Sequence, residues 1–338
     1  MSTVQDSVSQ APTVTAPAKK SMTVGSTATL IVLALLLITP LFVKNFIIFQ
    51  MTMVLIYAIA ILALNLLTGG SGQFSLGQSA FYAVGAYTAG ILMEHLGVNY
   101  VLTIPAAGIV CFIFGFLFGF PALRLSGVYL ALATFALAVA MPQILKLNLF
   151  EHWTGGVQGL VITKPDAPFG LKMSQDMWLY YFTLFISTVI YILAVNLLRS
   201  RSGRAMMAIR DNQIAASAMG VDLPLYKTLA FGVSAAFTGI AGALGAIVVQ
   251  FVAPDSFTIQ LAIAIFVGMV VGGVGWLPGS LVGSAFIVFV PNVAEHISKG
   301  LSGAVFGVFL FAVIFLLPHG ARQVAYYVEH LFRKKPKP

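Results

Sequence analysis

Residues Gly72-Gln-Phe-Ser-Leu-Gly77-Gln78-Ser79 have the spacing of a nucleotide-binding phosphate loop, G-x-x-x-x-G-K-S, with one decisive change. Gln78 stands where the lysine would bring positive charge to the phosphates, and no strand pattern precedes the glycines, so the stretch is not read as a nucleotide site. His95, His152, His296, His319 and His330 show no metal-ligand spacing. The single cysteine, Cys111, lies in the apolar run Ile109–Phe120, where a small core side chain is its expected role. What remains is polar chemistry without charge. Gly69, Gly70, Gly72 and Gly77, with Thr68, Ser71, Gln73, Ser75 and Gln78, interrupt an otherwise apolar region. Glycine weakens a helix, and unpaired backbone in lipid is costly, so such a break belongs where protein or a water-filled cavity covers it. Close packing through small residues accounts for the glycines but not for Gln73 and Gln78. We therefore read the stretch as part of a translocation path or gate.

A second break, Gly272-Gly273-Val-Gly275-Trp-Leu-Pro278-Gly279, is assigned the same role. Each break is followed by Ser-Ala-Phe, at 79–81 and 284–286, which hints at an internal repeat of the kind transporters use.

The elements that must position these residues follow from composition. Of 338 residues, 59% are hydrophobic and 8% charged. A soluble domain carries about 25% charged residues, so the solvent of this chain is the bilayer. The apolar runs are continuous rather than alternating, which selects helices over a barrel. The expected fold is an all-α polytopic membrane protein of about ten spans, near 27–43, 46–67, 79–94, 99–121, 127–145, 178–198, 228–251, 258–275, 279–297 and 301–318. The run 69–94 is broken or re-entrant. No span carries a central Asp, Glu, Lys or Arg, which argues against a proton relay or ion-coupled site. Trp153, Trp178 and Trp276 suit interfacial belts.

The net charge of +8 is not a nucleic-acid footprint, because the Lys and Arg collect at span ends. Arg199, Arg201, Arg204, Arg210 and Lys227 face Asp211 and Asp222 in one loop; Arg322, Arg333, Lys334, Lys335 and Lys337 face Glu329 in the C-terminal tail. Both read as cytoplasmic by the positive-inside rule. Counting spans backwards puts Lys19, Lys20 and Arg124 inside as well, and the loop 146–177 outside. The domain scheme is a disordered cytoplasmic tail 1–26, a permease domain 27–318 with a cytoplasmic loop 199–227, and a basic cytoplasmic tail 319–338. Both termini are placed in the cytoplasm.

Within that loop, Ala205–Met219 is expected to form a helix, with Met206, Ile209, Ala216 and Met219 near one face and Arg210 and Asp211 elsewhere. Gly203 and Gly220 bracket the segment as one rigid lever, Gly220 as a C-terminal cap, and Pro224 prevents continuation. A basic amphipathic helix could lie on anionic lipid or dock a motor subunit. The coupling residues are taken to be Gly203, Arg204, Met206, Ile209, Arg210, Asp211, Ala215, Ala216, Met219 and Gly220.

Residues 199–244, RSRSGRAMMAIRDNQIAASAMGVDLPLYKTLAFGVSAAFTGIAGAL, resemble the loop and following helix of the LivM-type permeases. NLLTGGSGQFSLGQSAFYAVGAYTAG (65–90) and VVGGVGWLPGSLVGSAF (270–286) resemble two glycine-rich motifs of the same family. The likeness covers most of 46–318. It implies a membrane subunit of a branched-chain amino-acid ABC importer in a bacterial plasma membrane. The implied partners are two ATP-binding cassette subunits, a homologous permease forming a heterodimer, and an extracytoplasmic substrate-binding protein. Nucleic acid and cofactors are not expected. Ile214-Ala215-Ala216-Ser-Ala-Met-Gly220 matches the docking pattern E-A-A-x-x-x-G of ABC importers except that Ile214 holds the acidic position. Urea or short-amide permeases share these motifs, and a self-sufficient secondary transporter is the rival from another class. A membrane-embedded enzyme would need clustered His, Asp or Glu at one interface.

Overall fold

The computed structural model describes residues 32–123, 125, 127–166, 173–297, 302–316 and 320–323. The expected tail 1–26, the start of the first span and most of the tail 319–338 lie outside the described residues, as do Arg124 and Lys172. The chain divides into two units, 1–44 and 45–338. The first contains a short apolar helix, Val32–Leu41. Everything below concerns the second.

That unit is built from helices α1 (Asn45–Asn65), α2 (Gln78–Glu94), α3 (Tyr100–Ala122), α4 (Val128–Leu145), α5 (Asn148–Thr154), α6 (Gln175–Arg199), α7 (Arg201–Asp211), α8 (Gln213–Ala218), α9 (Leu223–Val249), α10 (Ile259–Gly272), α11 (Gly279–Ile297) and α12 (Ser302–Leu316). Six helical stretches among the described residues are long and apolar enough to cross a bilayer: Asn45–Gly70, Tyr100–Pro121, Val128–Leu145, Gln175–Arg199, Leu223–Val249 and Pro254–Gly272. The chain is thus a multi-pass helical membrane protein. A departure from pure helix is the two-residue antiparallel pairing of β1 (Leu160–Val161) with β2 (Phe251–Val252), Leu160 opposite Val252.

Helix starts are set by side chains that accept the unpaired first-turn N–H groups. Asn99 caps α3 at Val101, Ser174 caps α6 at Met177, Ser200 caps α7 at Gly203, Asn212 caps α8 at Ile214 and Ala215, and Asp222 caps α9 at Leu225. Lipid supplies no hydrophobic drive for helices to associate, so close contact through small residues does that work. The missing Cβ of Gly85 on α2 would overlap the carbonyl of Gly239 on α9, and that of Gly242 would overlap the carbonyl of Tyr82. On the other flank of α9, a Cβ at Gly239 would strike the Cys111 sulfur of α3. Cys111 is buried, as expected for a small core side chain.

The ends of these helices sort into two sets. One holds the β1–β2 pair, the ion pair of Lys146 with Asp255 at 2.5 Å, the pair of Lys164 with Asp176, and Trp178 donating to the Tyr100 hydroxyl at 3.1 Å. His95, His152 and Trp153 meet there ring against ring. The other holds both glycine breaks and the loop 200–222. Lys227 sits at the second set and Gln250 at the first, so α9, about 40 Å long at 1.5 Å per residue, separates them.

Candidate functional site

Helix α1 does not simply stop. Its last turn widens into a π-helix over Leu66–Gly70, then the backbone runs without helix through 72–77, Gly72 in a left-handed conformation (φ 72°), before α2 begins. Gln73 lies at the level of Lys227, whose carbonyl its side-chain amide reaches at 3.3 Å, while Gln78 lies beside Ser234, two turns further along α9. The non-helical segment therefore carries the chain about two turns along α9 before the 17 residues of α2 begin. The sequence expectation of a broken span is what the structure contains.

Non-helical backbone within a bundle of membrane helices survives only if protein satisfies it. Gly72 N–H donates to the Thr68 carbonyl and Gln73 N–H to that of Leu67, at 3.1 and 3.4 Å. Leu76 N–H donates to Thr134 Oγ1 at 2.9 Å and Gly77 N–H to Ser75 Oγ at 3.2 Å. Thr68 Oγ1 donates to the Gln73 carbonyl at 3.1 Å. The two amides expected on the path are both committed inside the chain. Gln73 donates to Ser71 Oγ at 3.0 Å as well as to Lys227; Gln78 donates to Ser234 Oγ at 3.2 Å and accepts from Thr238 Oγ1 at 2.5 Å. Ser234 in turn donates to the Ala63 carbonyl at 2.8 Å.

The second break is a different object. Gly272 ends α10, Gly273 (φ 102°) and Gly275 (φ 77°) turn the chain in conformations that L side chains resist, and α11 starts at Gly279 directly after Pro278. Gly272 and Gly279 face each other so closely that a Cβ on either would overlap the other's carbonyl; one turn away a Cβ at Gly283 would overlap the Gly268 carbonyl, while one at Gly268 would strike Ile61. The result is a tight antiparallel hairpin rather than an interrupted span. Ser-Ala-Phe begins at the second residue of α2 but the sixth of α11, so the repeat suggested by the sequence has no matching local structure.

The two breaks meet. Asn65 Nδ2 donates to the carbonyls of Gly273 and Trp276 at 3.2 and 3.1 Å, and Asn65 Oδ1 accepts from Gly275 N–H at 2.6 Å. A Cβ at Gly69 would lie 2.6 Å from both the N and Cα of Gly275. Asn65 was missed as a site residue. Its signal was available: a strongly polar amide directly after the seven apolar residues 58–64 must find partners inside the protein.

The loop 200–222 departs from the single lever expected across 203–220. It is two helices, α7 and α8, separated at Asn212, whose backbone is extended (φ −159°, ψ 109°) so that its side chain can cap α8. The first helix begins at Arg201, not Gly203; Gly203 lies buried where a Cβ would overlap the carbonyls of Leu197 and Leu198. Met206 and Ile209, expected on an outward docking face, are 0% and 1% exposed. Met206 packs with Leu67, Phe81, Leu130, Ala230, Phe231 and Ala235. Ala216 is also buried, whereas Ala215 is exposed. The outward apolar residues are Ile214 and Met219, at 82% and 85%. Gly220 (φ 81°) ends α8 as expected, with its N–H on Ser217 and that of Val221 on Ala216. Arg204 closes the end of α6 by donating to the Arg199 carbonyl at 2.9 Å.

Arg210 joins the loop to the first break. Its Nη1 donates to the Gly69 carbonyl at 2.6 Å, its stem lies where a Cβ of Gly72 would stand, and its Nε and Nη2 reach Asp211 at 2.9 and 2.8 Å.

A family profile described as the permease component of branched-chain amino acid transport systems matches residues 46–317. The chain is 35% identical over 273 residues to the high-affinity branched-chain amino acid transport permease LivM of Salmonella typhimurium, covering 74% of this chain and 62% of that protein. Thus the match spans less than two thirds of that relative. It is 24% identical to a probable LivM of Methanocaldococcus jannaschii, covering 78% and 90% of the two chains. It is 28% identical to the autoinducer 2 import permease LsrC of Salmonella typhi, covering 68% and 67%. No solved structure gives a significant match.

Proposed function

The chain belongs to the branched-chain amino acid transport permease family, and from that premise we propose that it is the membrane subunit of an ATP-driven importer of branched-chain amino acids. The family is one of transport permeases, and the chemistry we assign to this chain is passage rather than catalysis. Energy comes from two ATP-binding cassette subunits at the end bearing loop 200–222, which is the cytoplasmic face of a bacterial inner membrane. A homologous permease completes the path, and an extracytoplasmic binding protein delivers substrate to the opposite end.

The observation that carries this reading is the exposed pair Ile214 and Met219, in and directly after a short capped helix that follows Arg210. Apolar side chains held rigidly in water beside a basic loop suit a groove on a partner. The breaks are the gate: Gly69, Gly70, Gly72, Gln73, Ser75, Gly77 and Gln78 on one side, Gly272, Gly273, Gly275, Pro278 and Gly279 on the other. Their hydrogen bonds within the chain hold the closed form.

The test is assembly and uptake. With cognate partners, the chain should co-purify with ATPase subunits, and Met219→Cys should cross-link to one of them. Proteoliposomes should take up labelled leucine on ATP. Absence of any cross-link in an assembled complex, or saturable ATP hydrolysis by this chain alone, overturns the assignment. The gate has its own check. Gly69→Ala drives a Cβ into the Gly275 backbone, whereas Gly70→Ala meets only the movable end of Leu198 at 3.2 Å. Uptake should fall at least tenfold in the first and stay within about twofold in the second, because backbone clash exceeds what a side-chain shift relieves.

A further inference from the structure

Loop 200–222 meets the first glycine break through the Arg210 side chain on the Gly69 carbonyl, and through Gln213, which accepts from Lys227 while the Lys227 carbonyl accepts from Gln73. Helix α7 is held to the bundle by buried Met206 and Ile209, and Arg210 lies in its last turn. The final carbonyls of any helix lack donors within it, and its C-terminus carries partial negative charge. The end of α1 meets both conditions in a π-turn, and Arg210 reaches across to cap the Gly69 carbonyl at 2.6 Å. A charged donor on a carbonyl at this distance is a strong bond, and the fork keeps a second contact with Asp211.

Gly69 is also the residue whose backbone touches Gly275, while Asn65, one turn earlier, accepts the Gly275 N–H. The same peptide thus bears on the loop and on the second break. On the other side of Arg210, one extended residue, Asn212, separates it from α8 with exposed Ile214 and Met219. A displacement of α8 therefore bears on Asn212 and Arg210, the link that leads through Gly69 to both breaks, besides the contact of Gln213 through Lys227 to Gln73 of the first break.

We infer that Arg210 is the positioning residue that transmits load from α8 to the gate, by capping the π-turn at Gly69 in the resting form and releasing it when α8 moves. This rests on the reading of α8 as the ATPase dock. Arg210 itself touches this chain's own backbone, so its loss should leave docking intact and break the link between ATP use and transport.

The experiment compares wild type, Arg210→Gln and Arg210→Lys in the assembled complex, reconstituted with binding protein and labelled leucine. Recovery of ATPase subunits, ATP hydrolysis and uptake are measured on the same vesicles. Arg210→Gln should recover the ATPases and hydrolyse ATP within about twofold of wild type while uptake per ATP falls at least tenfold. Arg210→Lys keeps the charge but not the fork, and should give an intermediate ratio. A wild-type ratio in Arg210→Gln overturns the inference. So does an Arg210→Gln chain that fails to accumulate while Arg210→Lys transports at the wild-type ratio, since that assigns Arg210 to folding alone. A wild-type chain that recovers no ATPase from its partners overturns the parent reading, and this one with it.

Discussion

The two halves of loop 200–222 carry similar residues to opposite ends. Helix α7 turns Met206 and Ile209 into the bundle, Met206 against residues from α2, α4 and α9. Helix α8, six residues long, turns Ile214 and Met219 to solvent. Both are short, basic-flanked and apolar on one side, and each starts at a side-chain cap. The difference lies in what the apolar side meets. The first half is anchorage that this chain provides for itself; the second leaves its apolar residues exposed, where the proposed function places a partner.

The largest test of that contrast is Met206→Ala. Removing a fully buried Met in a packed site costs about 2–5 kcal/mol, part of it from the cavity left behind. The variant should show a clearly lower unfolding temperature in detergent; an unchanged value would mean α7 is not an anchor. Next comes Asn65→Ala, which strips partners from Gly273, Trp276 and Gly275. A buried polar group left unpaired costs about 1–3 kcal/mol, so stability should fall measurably and uptake with it. Wild-type stability in that variant would show that the breaks are not stitched together.

Smaller again is Asn212→Ala, which removes the cap of α8 and costs about 1 kcal/mol. Hydrogen exchange should speed up over 213–219 and stay unchanged over 201–209; loosening of both segments together would erase the hinge between them. Least of all for the fold is the pair Ile214→Ser and Met219→Ser. Substitutions at exposed sites stay within about 0.5 kcal/mol, so unfolding should not move. Recovery of ATPase subunits should nonetheless drop severalfold. Full recovery would make the projecting half a mere surface.

Much of this molecule is legible in the chain. Continuous apolar runs and scarce charge dictate membrane helices, because lipid leaves the backbone no other way to pair its polar groups. The first break was readable for the same reason, since Gln73, Ser75 and Gln78 are expensive there without partners. Gly220 announced the end of α8, and the motifs around Arg199, Asn65 and Val270 pointed to the family.

Facing was decided by tertiary structure. In the loop, helical periodicity grouped Met206, Ile209, Ala216 and Met219 on one stripe, but the extended residue at Asn212 interrupts the helix, and Met219 points to solvent while the other three are buried. Periodicity holds only while the helix is continuous, and Asn can cap a new helix as readily as it can sit within one. The partners of Gln78, Asn65 and Arg210 are likewise 141 to 211 positions away for their long-range hydrogen bonds. A sequence states that a buried amide or guanidinium must be paired; which carbonyl pairs with it is settled only when the helices have packed.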